Sequence, residues 1–239
     1  MRALLFDLDG TLTRSGGAGS RALGQALHAR PQAVAELRKM RLDGMTDRAI
    51  ARALLAAEGD PTVPLDQRMR SIREDDIEAV LARYLDALAG ECARNAYVAL
   101  PGVAELLRRL QRRSDVVLGL CTGNLARGAE LKLTSAGLWS AFRFGGYGSD
   151  AEPRADIVRA AWQRATGLGA TEGLIIGDTP RDVIAAHDAG LPACGVATGR
   201  YSVHELAEHG AELVLPGFED VAESERLLLG PLRQGRSIF

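Results

Sequence analysis

The chain opens with an apolar run, residues 3–6, that stops at Asp7, Asp9 and Gly10. A short continuous apolar run bounded by a turn signal reads as a buried strand. A glycine-rich stretch, 14–19, follows, and after it come about eighty residues with no convincing strand pattern. Within them apolar residues recur at helical spacing in 22–29, 34–40, 47–58, 65–70 and 74–89, so each predicts an amphipathic helix. This all-helical insert is expected to end near Asn95. Pro101-Gly102 then opens a helix over 103–112, and the pattern changes. Strands are predicted at 116–120, 142–144, 173–176, 193–196 and 213–215, and helices between them at 125–136, 155–166, 181–189 and 204–209. The segment after Ala222 predicts a short helix and a frayed end.

Strands alternating with helices predict an α/β protein: a Rossmann-like, doubly wound parallel sheet covered by helices on both faces. The expected organisation is a core of 1–13 and 97–239, with 14–96 as a smaller all-α domain inserted after the first strand. Composition changes little in this picture. The 239 residues are 46% apolar and 25% charged, ordinary for a globular protein. Acids exceed bases by 31 to 29, and the insert carries 13 bases against 12 acids, so no electropositive strip recruits nucleic acid. No apolar stretch approaches the roughly 18 residues of a membrane span. Three scattered cysteines lack metal-ligand spacing, and no signal-like segment precedes the first strand, so the expected setting is cytoplasmic.

In a doubly wound sheet, ligands sit at the carboxyl ends of strands. Three predicted strand ends carry chemistry. The first gives Asp7 and Asp9, two acids that repel each other at the end of a buried strand and call for a cation or a shared proton. The second gives Thr122-Gly123-Asn124, where a hydroxyl and free N–H groups at a helix start suit an anion such as phosphate. The third gives Gly177-Asp178-Thr179-Pro180-Arg181-Asp182, a helix start on which Asp178 and Asp182 can face one side. Several carboxylates converging on one spot describe a hard cation, Mg²⁺ by preference.

With these motifs in place, the chain resembles the haloacid dehalogenase superfamily of phosphohydrolases, and in particular its phosphoglycolate-phosphatase-like members with a helical cap. Asp7-Leu8-Asp9-Gly10-Thr11 matches the first motif, DxDGT; Thr122-Gly123-Asn124 matches the second; Gly177 to Asp182 matches the acidic fourth. The resemblance implies that Asp7 is a nucleophile forming an aspartyl-phosphate and that Asp9 is the general acid and base. It implies that Asp7, the Asp9 carbonyl and Asp178 hold Mg²⁺, that Asp182 holds a metal water or orients the site, and that Thr122, Gly123 and Asn124 bind phosphate. The family's third motif is a lysine. Arg154 stands in its place here, so Arg154 is the candidate phosphate-binding base. The rival, Lys132, is predicted to lie about two turns, roughly 11–12 Å, into the helix after Asn124, too far for direct contact.

In the insert, Gly44, Thr46 and Asp47 form the best candidate for a substrate loop, against the simpler reading of a helix cap. The expected activity is a Mg²⁺-dependent phosphatase, a phosphoric monoester hydrolase, acting on a small phosphorylated metabolite. Alternatives are a sugar phosphomutase of the same architecture and a non-catalytic binding or regulatory member. A metal-free haloacid dehalogenase has no use for Asp9 or the Asp178/Asp182 pair. An exposed face of the insert leaves room for a homodimer.

Overall fold

The computed structural model describes residues 1–94 and 97–231. Strand β1 (Arg2–Phe6) is buried from Ala3 onward. A two-residue strand, β2 (Thr13–Arg14), leads into five helices: α1 (Ala18–Ala26), α2 (Pro31–Leu37), α3 (Asp47–Ala56), α4 (Leu65–Ser71) and α5 (Glu74–Arg94). The chain returns through β3 (Val98–Ala99), which pairs antiparallel with β2. It continues as α6 (Val103–Gln111), β4 (Val116–Thr122), α7 (Ala126–Ser135), a 3₁₀ turn at Trp139–Ala141, β5 (Phe144–Tyr147) and α8 (Arg154–Gly167). The remainder is β6 (Glu172–Gly177), α9 (Pro180–Asp188), β7 (Ala193–Val196), α10 (Val203–Glu208), β8 (Leu213–Leu215) and α11 (Val221–Leu229).

Six strands form one sheet in the order β5–β4–β1–β6–β7–β8, and every pairing between neighbours is parallel. The register sets Phe6 beside Leu120 on one side and Ile176 on the other. The carboxyl ends of β4, β1 and β6 therefore lie side by side, which brings the three polar strand ends to one edge.

Both sheet faces are covered. Leu4, Phe6, Leu120 and Ile176 pack with Leu106, Leu107 and Leu110 of α6. Leu5, Val117 and Ile175 pack on the opposite face with Ile157 of α8 and Val183 of α9. Helix α6 shows the reason for its own placement: Val103, Leu106, Leu107 and Leu110 are all buried and fall at 3–4-residue spacing. Each such side chain contributes about 2 kcal/mol of gross burial. The inserted helices have their own apolar cluster, including Leu54, Ile77, Leu81 and Tyr84, which also takes in Tyr97 and Leu125. Among the described residues no helix is long and apolar enough to cross a membrane.

Several elements depart from the pattern in the sequence. The β2/β3 ribbon is too short for a two-residue period to register. Helix α1 starts at Ala18, inside the glycine-rich stretch, and α2 starts at Pro31, whose fixed φ suits a first helical position. The strand expected at 142–144 lies at Phe144–Tyr147 instead. Gly145 and Gly146, weak strand formers, pair there with Leu120 and Cys121. Helix α5 runs through Gly90 to Arg94; the insert's expected end near Asn95 lies outside the described residues, as does most of the expected frayed end.

Candidate active site

Asp7 follows β1 directly, and its N–H donates to the Ile176 carbonyl at 2.8 Å. Asp178 follows β6. Asp182 sits in the first turn of α9, where it and Thr179 form a capping box ahead of Pro180. These local rules bring carboxylate oxygens of Asp7, Asp178 and Asp182 within 4.8 Å of one another. Thr11 donates its hydroxyl to Asp178 Oδ1 at 3.1 Å. Gly10 is required between them: its φ is +86°, and a Cβ there would lie 2.4 Å from Asp178 Oδ2.

Arg154, the first residue of α8, reaches into this cluster. One terminal nitrogen, Nη2, lies 3.0 Å from Asp7 Oδ1 and also pairs with Asp182. The other, Nη1, donates to the Gly44 carbonyl of the inserted domain at 3.3 Å. Burial pushes the Asp7 carboxyl up to about 7 against the pull of Arg154, with Asp182 and Asp9 adding repulsion. Burial, then Asp7 and Asp182, pushes Asp178 well above the carboxylate range. Burial works against the charged form of Arg154, but Asp182 and Asp7 outweigh it and hold the guanidinium above its usual value.

Asp9 points elsewhere. Its side chain is 45% exposed, lines the cavity, and meets Lys132 Nζ at 2.6 Å through Oδ2. Asn124 Nδ2 donates to the same Oδ2 at 2.9 Å and to Thr122 Oγ1 at 2.8 Å, while Lys132 donates to Asn124 Oδ1. The expectation that Lys132 is out of reach is therefore wrong. Helix α7 starts immediately after the Thr122–Asn124 turn, and helical side chains slope back toward the N-terminus. The long lysine stem closes the axial gap. Burial disfavours the ammonium, yet Asp9, Tyr84, Tyr97 and Asp47 together keep it above the ordinary lysine value.

The inserted helices lie against this strand end. The Asp47 N–H donates to the Gly123 carbonyl at 2.8 Å, and the Leu125 N–H donates to Asp47 Oδ2 at 2.9 Å. Gly123 has no room for a side chain, because a Cβ would lie 2.5 Å from the Met45 carbonyl. Gly44 and Asp47 line the cavity, as do Thr122, Gly123 and Asn124. Thr46 caps α3 by accepting the Ala49 N–H, and its hydroxyl reaches the Glu152 carbonyl. The cavity, open on one side, has a volume of about 760 Å³.

Burial pushes the Asp47 carboxyl up to about 6, against the pull of Lys132 and the Leu125 N–H. Between an ordinary value near 4 and about 6, the folded state keeps a proton that the unfolded chain has released. Stability contributed by Asp47 is thus full below pH ~4 and is lost as pH rises through 6, on the order of 3 kcal/mol. Asp47→Asn keeps an acceptor for Leu125 and removes this loss. Urea unfolding at pH 4.5 and 7.5 is expected to show a smaller fall in stability for the variant than for the wild type.

Sequence reasoning missed two parts of the cavity. Thr198, in the loop after β7, donates its hydroxyl to the Gly10 carbonyl at 2.6 Å, and Thr198, Gly199 and Arg200 line the space. The strand-end rule already applied to β1, β4 and β6 would have found them. Tyr84 and Tyr97 also line it. Tyr84 falls on the apolar stripe of α5, and nothing in the pattern separates it from an ordinary core residue.

A family model described as haloacid dehalogenase-like hydrolase matches residues 1–190. A phosphoglycolate phosphatase of Rhodospirillum rubrum is 31% identical over 239 residues, covering 93% of this chain and 90% of that protein. Phosphoglycolate phosphatase 1 of Pseudomonas aeruginosa is 29% identical over 224 residues, covering 92% and 78%. The crystal structure of a hydrolase from Pseudomonas syringae superposes with a TM-score of 0.72 at 25% identity, covering 96% of this chain and all of that one.

Proposed function

The chain belongs to the haloacid dehalogenase-like hydrolases, and on that premise we propose that it is a Mg²⁺-dependent phosphatase of a small phosphorylated metabolite, phosphoglycolate-phosphatase-like in its substrate class. One observation carries the reading: Asp7, Asp178 and Asp182 gather within 4.8 Å of one another at one strand edge, beside Asp9, with Arg154 against Asp7 and Asp182. The carboxylates of Asp7, Asp9, Asp178 and Asp182, with Asp47 beside Lys132, outnumber the two cations among them, Arg154 and Lys132, so negative charge is in excess. The carboxyls of Asp7 and Asp178 are raised first by burial, and the repulsion among the clustered acids adds to it.

A divalent cation fits this excess. The donors are all hard oxygens. Asp7, Asp178 and the Asp9 carbonyl would hold Mg²⁺. Asp182 would act from behind, since one oxygen pairs with Arg154 and the other accepts from Thr179. Bound there, the ion would screen the phosphate from the carboxylates and polarise its oxygens.

Asp7 then forms a bond to phosphorus while the phosphorus–oxygen bond to the alcohol breaks, and Asp9 gives the departing oxygen a proton. In the second half Asp9 takes a proton from water, the water oxygen attacks phosphorus, and Asp7 is released with inorganic phosphate. Arg154, the Thr122 hydroxyl and the backbone N–H groups of the Thr122-Gly123-Asn124 turn hold the phosphoryl oxygens, while the Asn124 side chain is engaged with Asp9, Thr122 and Lys132. The inserted helices serve as a cap that keeps water out until the first half is complete.

Two measurements test this together. Hydrolysis of p-nitrophenyl phosphate and 2-phosphoglycolate is expected with Mg²⁺ and to vanish in EDTA. Mg²⁺ at 100 times its dissociation constant is expected to stabilise the wild type by about 2.7 kcal/mol, and an Asp178→Asn variant by far less. Undiminished hydrolysis in EDTA would remove the metal from the reading.

A further inference from the structure

Lys132 is the buried cation that the family's motifs leave without a function. Its residue exposure is 4%, and its ammonium lies 5.6 Å from the centroid of the Tyr97 ring. A lysine is buried only when paired. Here the pairing is specific: Lys132 and Asn124 both donate to one oxygen of Asp9, Oδ2, and Lys132 also donates to the Asn124 amide oxygen. Asn124 is anchored in turn on Thr122 Oγ1. The three groups close a triangle, so the rotamer of Asp9 is fixed from two sides. The second oxygen, Oδ1, takes part in none of these bonds, and the side chain remains open to the cavity.

Taking the phosphatase reading as its basis, we infer that Lys132, with Asn124, is a positioning residue that aims Oδ1 of Asp9 at the leaving oxygen of the substrate. As the phosphorus–oxygen bond breaks, its electron pair stays on the leaving oxygen, the Asp9 proton moves to that oxygen, and the resulting carboxylate is left against the Lys132 ammonium. In the second half the same carboxylate takes the proton of the attacking water. Lys132 itself neither gains nor loses a proton. Its place is distinct from that of Arg154, which pairs with Asp7 and Asp182.

The consequence is selective. A general acid matters most when the leaving group is a poor one, such as an alcohol, and little when it is p-nitrophenolate. The ratio kcat/KM reports only steps up to the departure of the alcohol, so it isolates the acid half from the later water attack. Lys132→Met is expected to lower kcat/KM for 2-phosphoglycolate, or whichever alkyl phosphate the wild type prefers, by about 10²–10³-fold. For p-nitrophenyl phosphate the loss is expected to stay within about 10-fold. Asp9→Asn should show the same split, and the double variant should fall no more than about 3-fold below Asp9→Asn, because the two residues act as one unit.

Asn124→Ala, which leaves the lysine in place, should reproduce the split in weaker form and serves where Lys132→Met does not fold. Equal losses on both substrates, or additive losses in the double variant, would overturn the inference and make the lysine a structural residue. A wild type inactive on all phosphate esters would overturn the phosphatase reading itself, an outcome separate from either of these.

Discussion

Asp7→Asn is expected to lower phosphatase turnover by about 10⁴-fold or more while leaving the fold intact. On the proposed covalent mechanism the amide cannot form the bond to phosphorus, and no neighbouring carboxylate is placed to replace it. Asp182 is held by Arg154 and Thr179, and Asp178 by Thr11. The same variant is expected to be more resistant to heat than the metal-free wild type at pH 8. The folded protein keeps the Asp7 proton up to about pH 7, whereas the unfolded chain releases it near pH 4. Stability of the wild type therefore declines as pH rises across that window, and asparagine has nothing to lose there. The advantage should shrink at pH 5. Turnover and thermal unfolding at pH 5 and pH 8 check both halves, and a variant with near-normal turnover would end the covalent reading. Loss of activity together with a gain in metal-free stability is the signature of a group strained for function.

The strand ends were legible because their chemistry is local. Asp7-x-Asp9-Gly10 and Gly177 to Asp182 each combine a buried strand, a turn and a cap within a few residues, and parallel topology then puts them side by side. Lys132 was not legible, since its role depends on how a helix is tilted over a loop and on the reach of a long side chain. Distance along the helix axis alone gave the wrong answer. Tyr84 carries the same lesson in weaker form: an aromatic on an apolar stripe shows its cavity-facing edge only when the helix is docked. The Gly145-Gly146 strand was hidden because pairing with Leu120 and Cys121, not propensity, decides it. Arg154 was placed by its position in the motif, but the sequence said nothing of its second arm.

That second arm separates two substitutions at one position. Arg154→Met leaves Asp7 and Asp182 buried without their cation, which is expected to destabilise the metal-free protein by about 3–5 kcal/mol. It also removes a charge from the proposed phosphoryl site, and turnover is expected to fall by about 10³-fold. Arg154→Lys keeps a cation against the two carboxylates and should retain turnover to within roughly tenfold. An ammonium has one nitrogen, however, and Arg154 uses two, one on the carboxylates and one on the Gly44 carbonyl. The lysine variant should therefore lose the tie between the catalytic cluster and the inserted loop while keeping the charge. Backbone amides around Gly44 are expected to exchange hydrogen faster in Arg154→Lys than in the wild type, with those of β1 and β6 unchanged. Equal protection around Gly44 in both proteins would mean that the loop is held without Arg154, by contacts such as Asp47 to Gly123, Thr46 to Glu152 and Asp43 to Arg200. The arginine then does more than a lysine could at this place: the residue that balances Asp7 and Asp182 also grips the Gly44 loop beside them.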